Sequence, residues 1–148
     1  MGRGQRLTAL RALAALDLTD LTDNCTPEAV CGLMARSRTR HGEVAAVCVW
    51  PRFVAQASAA LRGSGIRIAT VINFPLGGES IDRAVLGSVE ALRDGANEID
   101  LVVPYKALTR GDENIVSDMI VAVRRAIPAG SPLKTILETG ELNNGSLI

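Results

Sequence analysis

The stretch ANEIDLVVPYKAL, residues 96–108, decides how the chain is read. Ile99, Leu101, Val102 and Val103 form a short apolar run that Pro104 ends, the pattern of a buried strand, and Asp100 sits in its middle. An ionised carboxylate is costly to bury unless something pairs with it. Strand side chains alternate in direction, so Glu98, Asp100 and Val102 share one face while Leu101 and Val103 occupy the other. The question is what lies opposite Asp100.

Outward from this strand the chain alternates short apolar runs with longer amphipathic ones. LDLTDL (16–21), EVAAVCVW (43–50), IRIATVINF (66–74) and PLKTILET (132–139) are the other strand candidates. A short amphipathic helix opens the chain. Thr26-Pro27 predicts an N-cap followed by proline at the first helical position, with the helix fading near Arg40. FVAQASAALRGSG (53–65) reads as a helix ending in glycines, and Ser80 caps one running to about Asp94 with Gly95 beyond it. ENIVSDMIVAVRRAI (113–127) has Asp112 as cap and Pro128 as terminator, and ELNNGSLI (141–148) reads as the entry to another helix. Five strands thus alternate with four helical crossovers, each long enough for a right-handed βαβ unit. No linker or low-complexity tract intervenes, and residues 1–148 are expected to form a single domain.

Such alternation suits an open doubly wound sheet or a closed (β/α) barrel. A dinucleotide-binding sheet wants G-x-G-x-x-G after its first strand, but LDLTDLTDN has no glycine, and GSGIRI lacks the third and precedes a strand. Parity favours the barrel. Asp17 and Thr19 share a face, as do Ala46, Cys48 and Trp50, and Lys134, Ile136 and Glu138; the opposite faces are mainly apolar. Helices on both faces of an open sheet would leave these polar faces nowhere to go. In a TIM-type barrel they converge on an interior pocket toward the strands' C-terminal ends.

The candidate site is therefore Asp17, Cys48, Asp100 and Lys134. Opposite charges in one cavity hold each other ionised and make acid–base chemistry tunable. The alternative is a set of structural ion pairs inside the barrel. Cys48 reads equally as a small buried hydrophobe or a substrate contact. Thr70 and Asn73 are expected to satisfy backbone groups, and Trp50 and Phe74 to pack in the core rather than wall the pocket. The chain has two lysines, Lys106 and Lys134. A desolvated lysine beside another cation can attack a carbonyl as a neutral amine. Lys134 has no evident second cation, and Lys106, just past Pro104-Tyr105, reads as a surface residue.

Composition narrows the partners. Sixteen basic residues balance sixteen acidic ones, so there is no electrostatic footprint for nucleic acid or an anionic membrane. The basic run RSRTRH (36–41) suits a solvated helix end. Cys25, Cys31 and Cys48 match no C-x-x-C spacing and His41 is the only histidine, which speaks against a disulfide framework or a zinc site. Unpaired thiols point to a reducing compartment, and a cytoplasmic location is expected. Arg11 and Asp17 interrupt the N-terminal apolar stretch, so it does not read as a signal peptide, and no segment reaches transmembrane length.

Five pieces in order, LRALAALDLTDL, AAVCVWPRF, RIATVINFPLGG, EIDLVVPYKAL and LKTILETGEL, resemble the deoxyribose-phosphate aldolases, a family of class I (Schiff-base) enzymes on a (β/α) barrel. RIATVINFP and ETGEL are the most specific. The resemblance implies reversible cleavage of 2-deoxy-D-ribose 5-phosphate to D-glyceraldehyde 3-phosphate and acetaldehyde, with no metal or cofactor. Asp100 matches the family's proton-relay aspartate; Asp17, Cys48 and Lys134 match residues lining its pocket. The family's Schiff-base lysine lies on the strand after ETGEL, with a second lysine and the phosphate-binding glycines later still, and Lys134 matches a different position. The resemblance therefore implies the N-terminal portion of an eight-stranded barrel, about five strands, inactive alone and given to self-association or to pairing with a complementary C-terminal half. Two other expectations stand beside it: a catalytically dead βα fragment acting as a binding or assembly module, and a different Schiff-base aldolase using Lys134.

Overall fold

The computed structural model describes residues 2–142. Five strands form one sheet in the order β1 (Asp17–Asp20), β4 (Ala46–Val49), β5 (Arg67–Ile72), β6 (Glu98–Val102), β7 (Leu133–Ile136), and the registered neighbours run parallel. A two-stranded antiparallel ribbon, β2 (Arg38–Thr39) with β3 (Gly42–Glu43), lies between the first two in sequence. The chain divides into two compact units. One holds the described residues up to Thr70 with Asp94–Ala96; the other holds Val71–Arg93 and the described residues from Asn97.

In the first unit, α1 (Arg3–Leu13) is largely solvent-exposed. Helix α2 (Pro27–Arg36) starts as the sequence predicts: the Thr26 hydroxyl accepts the Ala29 N–H at 3.2 Å and Pro27 occupies the first turn. It stops at Arg36, however, four residues short of the expected end. The buried Ser37 hydroxyl donates to the Met34 carbonyl at 2.7 Å, closing the last turn. The chain then reverses through the ribbon, where Thr39 Oγ1 donates to the Gly42 carbonyl at 2.8 Å. Most of the basic run 36–41 is thus a hairpin, with Arg38 paired to Glu43 at 3.5 Å. The valines of β4 are fully buried, and Val30 and Leu33 of α2 and Val54 and Ala57 of α3 (Val54–Ala60) join them in the core. A 3-10 turn at Pro51–Phe53 precedes α3, which is shorter than the expected 53–65. Gly95 adopts φ +110, and a Cβ there would meet Ser58 Oγ at 2.4 Å, so only glycine fits where the chain passes α3.

In the second unit, α4 (Ile81–Arg93) and α6 (Glu113–Ala126) pack on each other, and α4 also contacts β6. Asp112 caps α6 by accepting the Ile115 N–H at 3.4 Å. At the other end Arg124 donates to the carbonyls of Ile127 and Ser131, at 3.3 and 2.7 Å, fastening the loop that leads into β7. A five-residue helix, α5 (Tyr105–Thr109), follows β6 in a segment to which the sequence reading assigned no element. Strand β7 ends at Ile136, and Glu138 takes φ +52, so the alternation read through residue 138 stops two residues earlier. The helix expected over 141–148 falls almost wholly outside the described residues.

Candidate active site

The site is built on β6 and β7. Their register sets Ile99 beside Leu133, Asp100 beside Lys134 and Val102 beside Ile136. Glu98, Asp100 and Lys134 therefore project from one face, while the fully buried Ile99 and Leu101 anchor β6 from the other. Lys134 Nζ lies 2.6 Å from Glu98 Oε1 and 3.2 Å from Asp100 Oδ1. This answers the question posed by the buried carboxylate: the group opposite Asp100 is Lys134.

The two acids are deeply placed, with side chains 7% and 12% exposed, whereas the lysine side chain is 43% exposed. One ammonium thus joins two carboxylates at the edge of solvent. The cation offsets the repulsion between the acids, and they in turn stabilise its charge. That is the reverse of what a nucleophilic amine requires. A carboxylate held beside a fixed cation and within reach of water is suited to passing a proton.

The remaining candidates lie in the first unit. Register pairs Asp17 with Ala46 and Thr19 with Cys48, so Asp17 and Cys48 project from the same side of their strands, as alternation predicts. Asp17 is half-buried, and Cys48 is buried and forms no disulfide. Thr70 is fully buried and donates to the Val49 carbonyl at 2.7 Å. Trp50 Nε1 donates to the Thr22 carbonyl at 3.1 Å, and the Arg52 guanidinium stands 5.2 Å from its ring centre. These contacts make Trp50 a strap for the loop after β1.

The exit of β5 is ordered by one amide. Asn73, at φ +60, donates through Nδ2 to the carbonyls of Val102 (2.9 Å) and Gly78 (2.8 Å), and its Oδ1 accepts the Gly78 N–H at 3.0 Å. It closes the loop 73–78 and ties it to the end of β6, two residues past Asp100. Gly77 lets that loop lie flat: a Cβ there would stand 2.5 Å from the Tyr105 ring and 2.6 Å from the Val103 carbonyl. Phe74 packs against the cluster of Val102, Val103 and Tyr105 but is only partly buried and also walls a cleft, where core packing alone was expected. A cleft of about 340 Å³ opens between Asn73, Phe74 and Leu76 and the start of α4 at Ser80 and Arg83.

Sequence reasoning placed Glu98 on the face of Asp100 but left it out of the candidate set. Its spacing of two from Asp100 was the available signal. What the sequence did not give was the register that brings Lys134 to both acids.

A parallel α/β sheet with an acid–lysine cluster on adjacent strands defines the chain as an α/β protein with the makings of an enzyme active site. Residues 9–146 match the DeoC/LacD family aldolases, and the chain belongs to that family. It is 50% identical over 144 residues, 97% of its length, to the deoxyribose-phosphate aldolase of Agrobacterium fabrum, of which it covers 56%. Among solved structures it is similar to a protein from Coccidioides immitis assigned as a deoxyribose-phosphate aldolase (32% identity, TM-score 0.83, covering 90% of this chain and 52% of that one). It is also similar to the tetrameric deoxyribose phosphate aldolase of Aeropyrum pernix (25% identity, TM-score 0.73, covering 92% and 56%). The chain therefore spans about half the length of the relatives it matches. No described helix is long and apolar enough to cross a membrane.

Proposed function

We propose that this chain supplies the acid–base part of an aldolase that reversibly cleaves 2-deoxy-D-ribose 5-phosphate to D-glyceraldehyde 3-phosphate and acetaldehyde through a lysine Schiff base. One observation carries the reading: Asp100, in the middle of EIDLVV, is ion-paired across the strands to Lys134 in a chain half identical to a named deoxyribose-phosphate aldolase. In the synthetic direction an amine condenses with acetaldehyde and releases water. Asp100, acting through water, takes a proton from the adjacent carbon to give the enamine, and returns a proton after the new carbon–carbon bond forms. Lys134 is the fixed charge beside it, and Asp17 and Cys48 line the substrate pocket.

The attacking amine is assigned to neither lysine of this chain. Lys106 is exposed, with its ammonium 5.6 Å from the Tyr105 ring centre, and Lys134 is tied to two carboxylates. The ion pairing counts against an aldolase that uses Lys134 as nucleophile. On this reading residues 1–148 work as one portion of a barrel, in the cytoplasm, together with a complementary C-terminal half or in self-association. Cys25, Cys31 and Cys48 form no disulfide, which suits that compartment, and the tetrameric relative supports assembly.

Borohydride trapping with acetaldehyde, followed by mass mapping, tests the assignment. In the chain alone no adduct is expected on Lys134, and Lys106 takes only the slow, non-saturating label of an exposed surface amine. Adding the C-terminal half of a full-length relative is expected to yield an adduct on the added half and measurable turnover, which Asp100→Asn lowers at least about a hundredfold. An adduct on Lys134 would overturn the assignment of the amine.

A further inference from the structure

Glu98 lies closer to Lys134 than Asp100 does, 2.6 Å against 3.2 Å, and its side chain is the more buried of the two acids. The proton-relay reading uses Asp100 and leaves Glu98 without a task. A glutamate is nonetheless an expensive residue to seat at the buried start of a strand. Its position on the strand matters. Glu98 precedes Asp100 by two residues, about 7 Å along β6, on the side away from the strand's C-terminal end. Lys134 is in register with Asp100, and its four-carbon stem can swing along the strand in either direction. The 2.6 Å contact ties the ammonium to a side chain rooted one step nearer the start of the strand than Asp100, farther from the strand end where carbonyl chemistry takes place in barrels.

We propose that Glu98 is a positioning residue: it holds the Lys134 ammonium back against Asp100, so that this lysine serves as a fixed countercharge and is withheld from aldehydes. The consequence for catalysis rests on the aldolase reading above, but the geometry does not. Without Glu98, Lys134 gains freedom to extend toward the strand end and part of its charge stabilisation is lost, and both changes favour attack on a carbonyl.

The full chain carries its own control, since Lys106 and Lys134 are its only lysines and Lys106 is exposed. Reductive methylation with formaldehyde and borohydride, quantified at each lysine by peptide mass mapping, reads the restraint directly. In the unsubstituted chain Lys134 is expected to react on the order of tenfold more slowly than Lys106, the ordinary effect of a close opposite charge. Glu98→Gln is expected to raise the Lys134 rate by a similar factor and leave Lys106 unchanged. Glu98→Asp retains part of the protection, and Asp100→Asn releases less than Glu98→Gln. Equal reactivity of the two lysines in the unsubstituted chain, no change on Glu98→Gln, or a larger effect from Asp100→Asn would overturn the proposal. Where circular dichroism finds Glu98→Gln unfolded, the unsubstituted chain decides through its lysine ammonium NMR signals: slow proton exchange at Lys134 relative to Lys106 supports the restraint, and equal exchange refutes it. Failure of the aldolase reading would appear in the acetaldehyde trapping and leave the methylation ratio where it is.

Discussion

Asp20, at the end of β1, shows how a short local contact sets a charge. The Thr22 hydroxyl donates to Asp20 Oδ1 at 2.7 Å and the Thr22 N–H donates to the same oxygen at 3.1 Å. Both bonds favour the ionised carboxylate, the hydroxyl more, and hold the pKa of Asp20 below the usual carboxylate value. Because the folded value is depressed, the contribution to stability is complete above the unfolded value and is lost as the pH falls through the lower, folded one. Thr22→Val removes the stronger bond. The Asp20 carboxyl carbon is then expected to titrate closer to its ordinary value by NMR, and the variant's stability deficit to vanish in acid below both values. An unchanged titration would assign the effect to the backbone amide alone.

At the scale of elements, the loop between β5 and α4 depends on the Asn73 amide, which makes three hydrogen bonds to backbone groups of Gly78 and Val102. A hydrogen bond of this kind contributes about 1 kcal/mol net, and leaving a partly buried acceptor unmade adds to the loss. Asn73→Ala is expected to cost about 2–3 kcal/mol in urea unfolding and to speed amide exchange at Gly78 ahead of the strands; a loss within about 0.5 kcal/mol would show that the loop is held by other contacts. Elements of this kind divide into those legible in the sequence and those decided by packing. The five sheet strands announce themselves as β-branched or leucine-rich runs, and the caps at Thr26 and Asp112 are local chemistry. Alternation assigns the faces of β6 and β7 up to Ile136. The end of α2 does not follow from propensity, because it depends on the buried Ser37 and on the turn between Thr39 and Gly42. Helix α5 is a single short element after a proline, too brief for any periodicity to mark. For the site, residue type and parity identified Asp100 and Lys134, but the part of Glu98 depends on register, which is a property of two strands and not of either one.

For the molecule as a whole, β1 and β7 stand at the two ends of the sheet order, so among the described residues each has a neighbour on one side only. Both are partly exposed, in contrast to the buried interior of β4 and β6. Open parallel edges invite pairing with another chain. Leu86 and Val89, one turn apart on α4, add exposed apolar surface. The 148-residue chain by itself is therefore expected either to melt broadly at low temperature or to self-associate in sedimentation velocity. Adding the C-terminal half of a full-length relative supplies strands for the open edges. A partner that binds only the folded form stabilises by mass action, about 2.7 kcal/mol at a hundred times its Kd, and the melting temperature then rises with partner concentration. A monomer that melts sharply, and whose midpoint the added half leaves unmoved, would show that five strands suffice to seal this fold and that the edges of β1 and β7 carry no need for a partner.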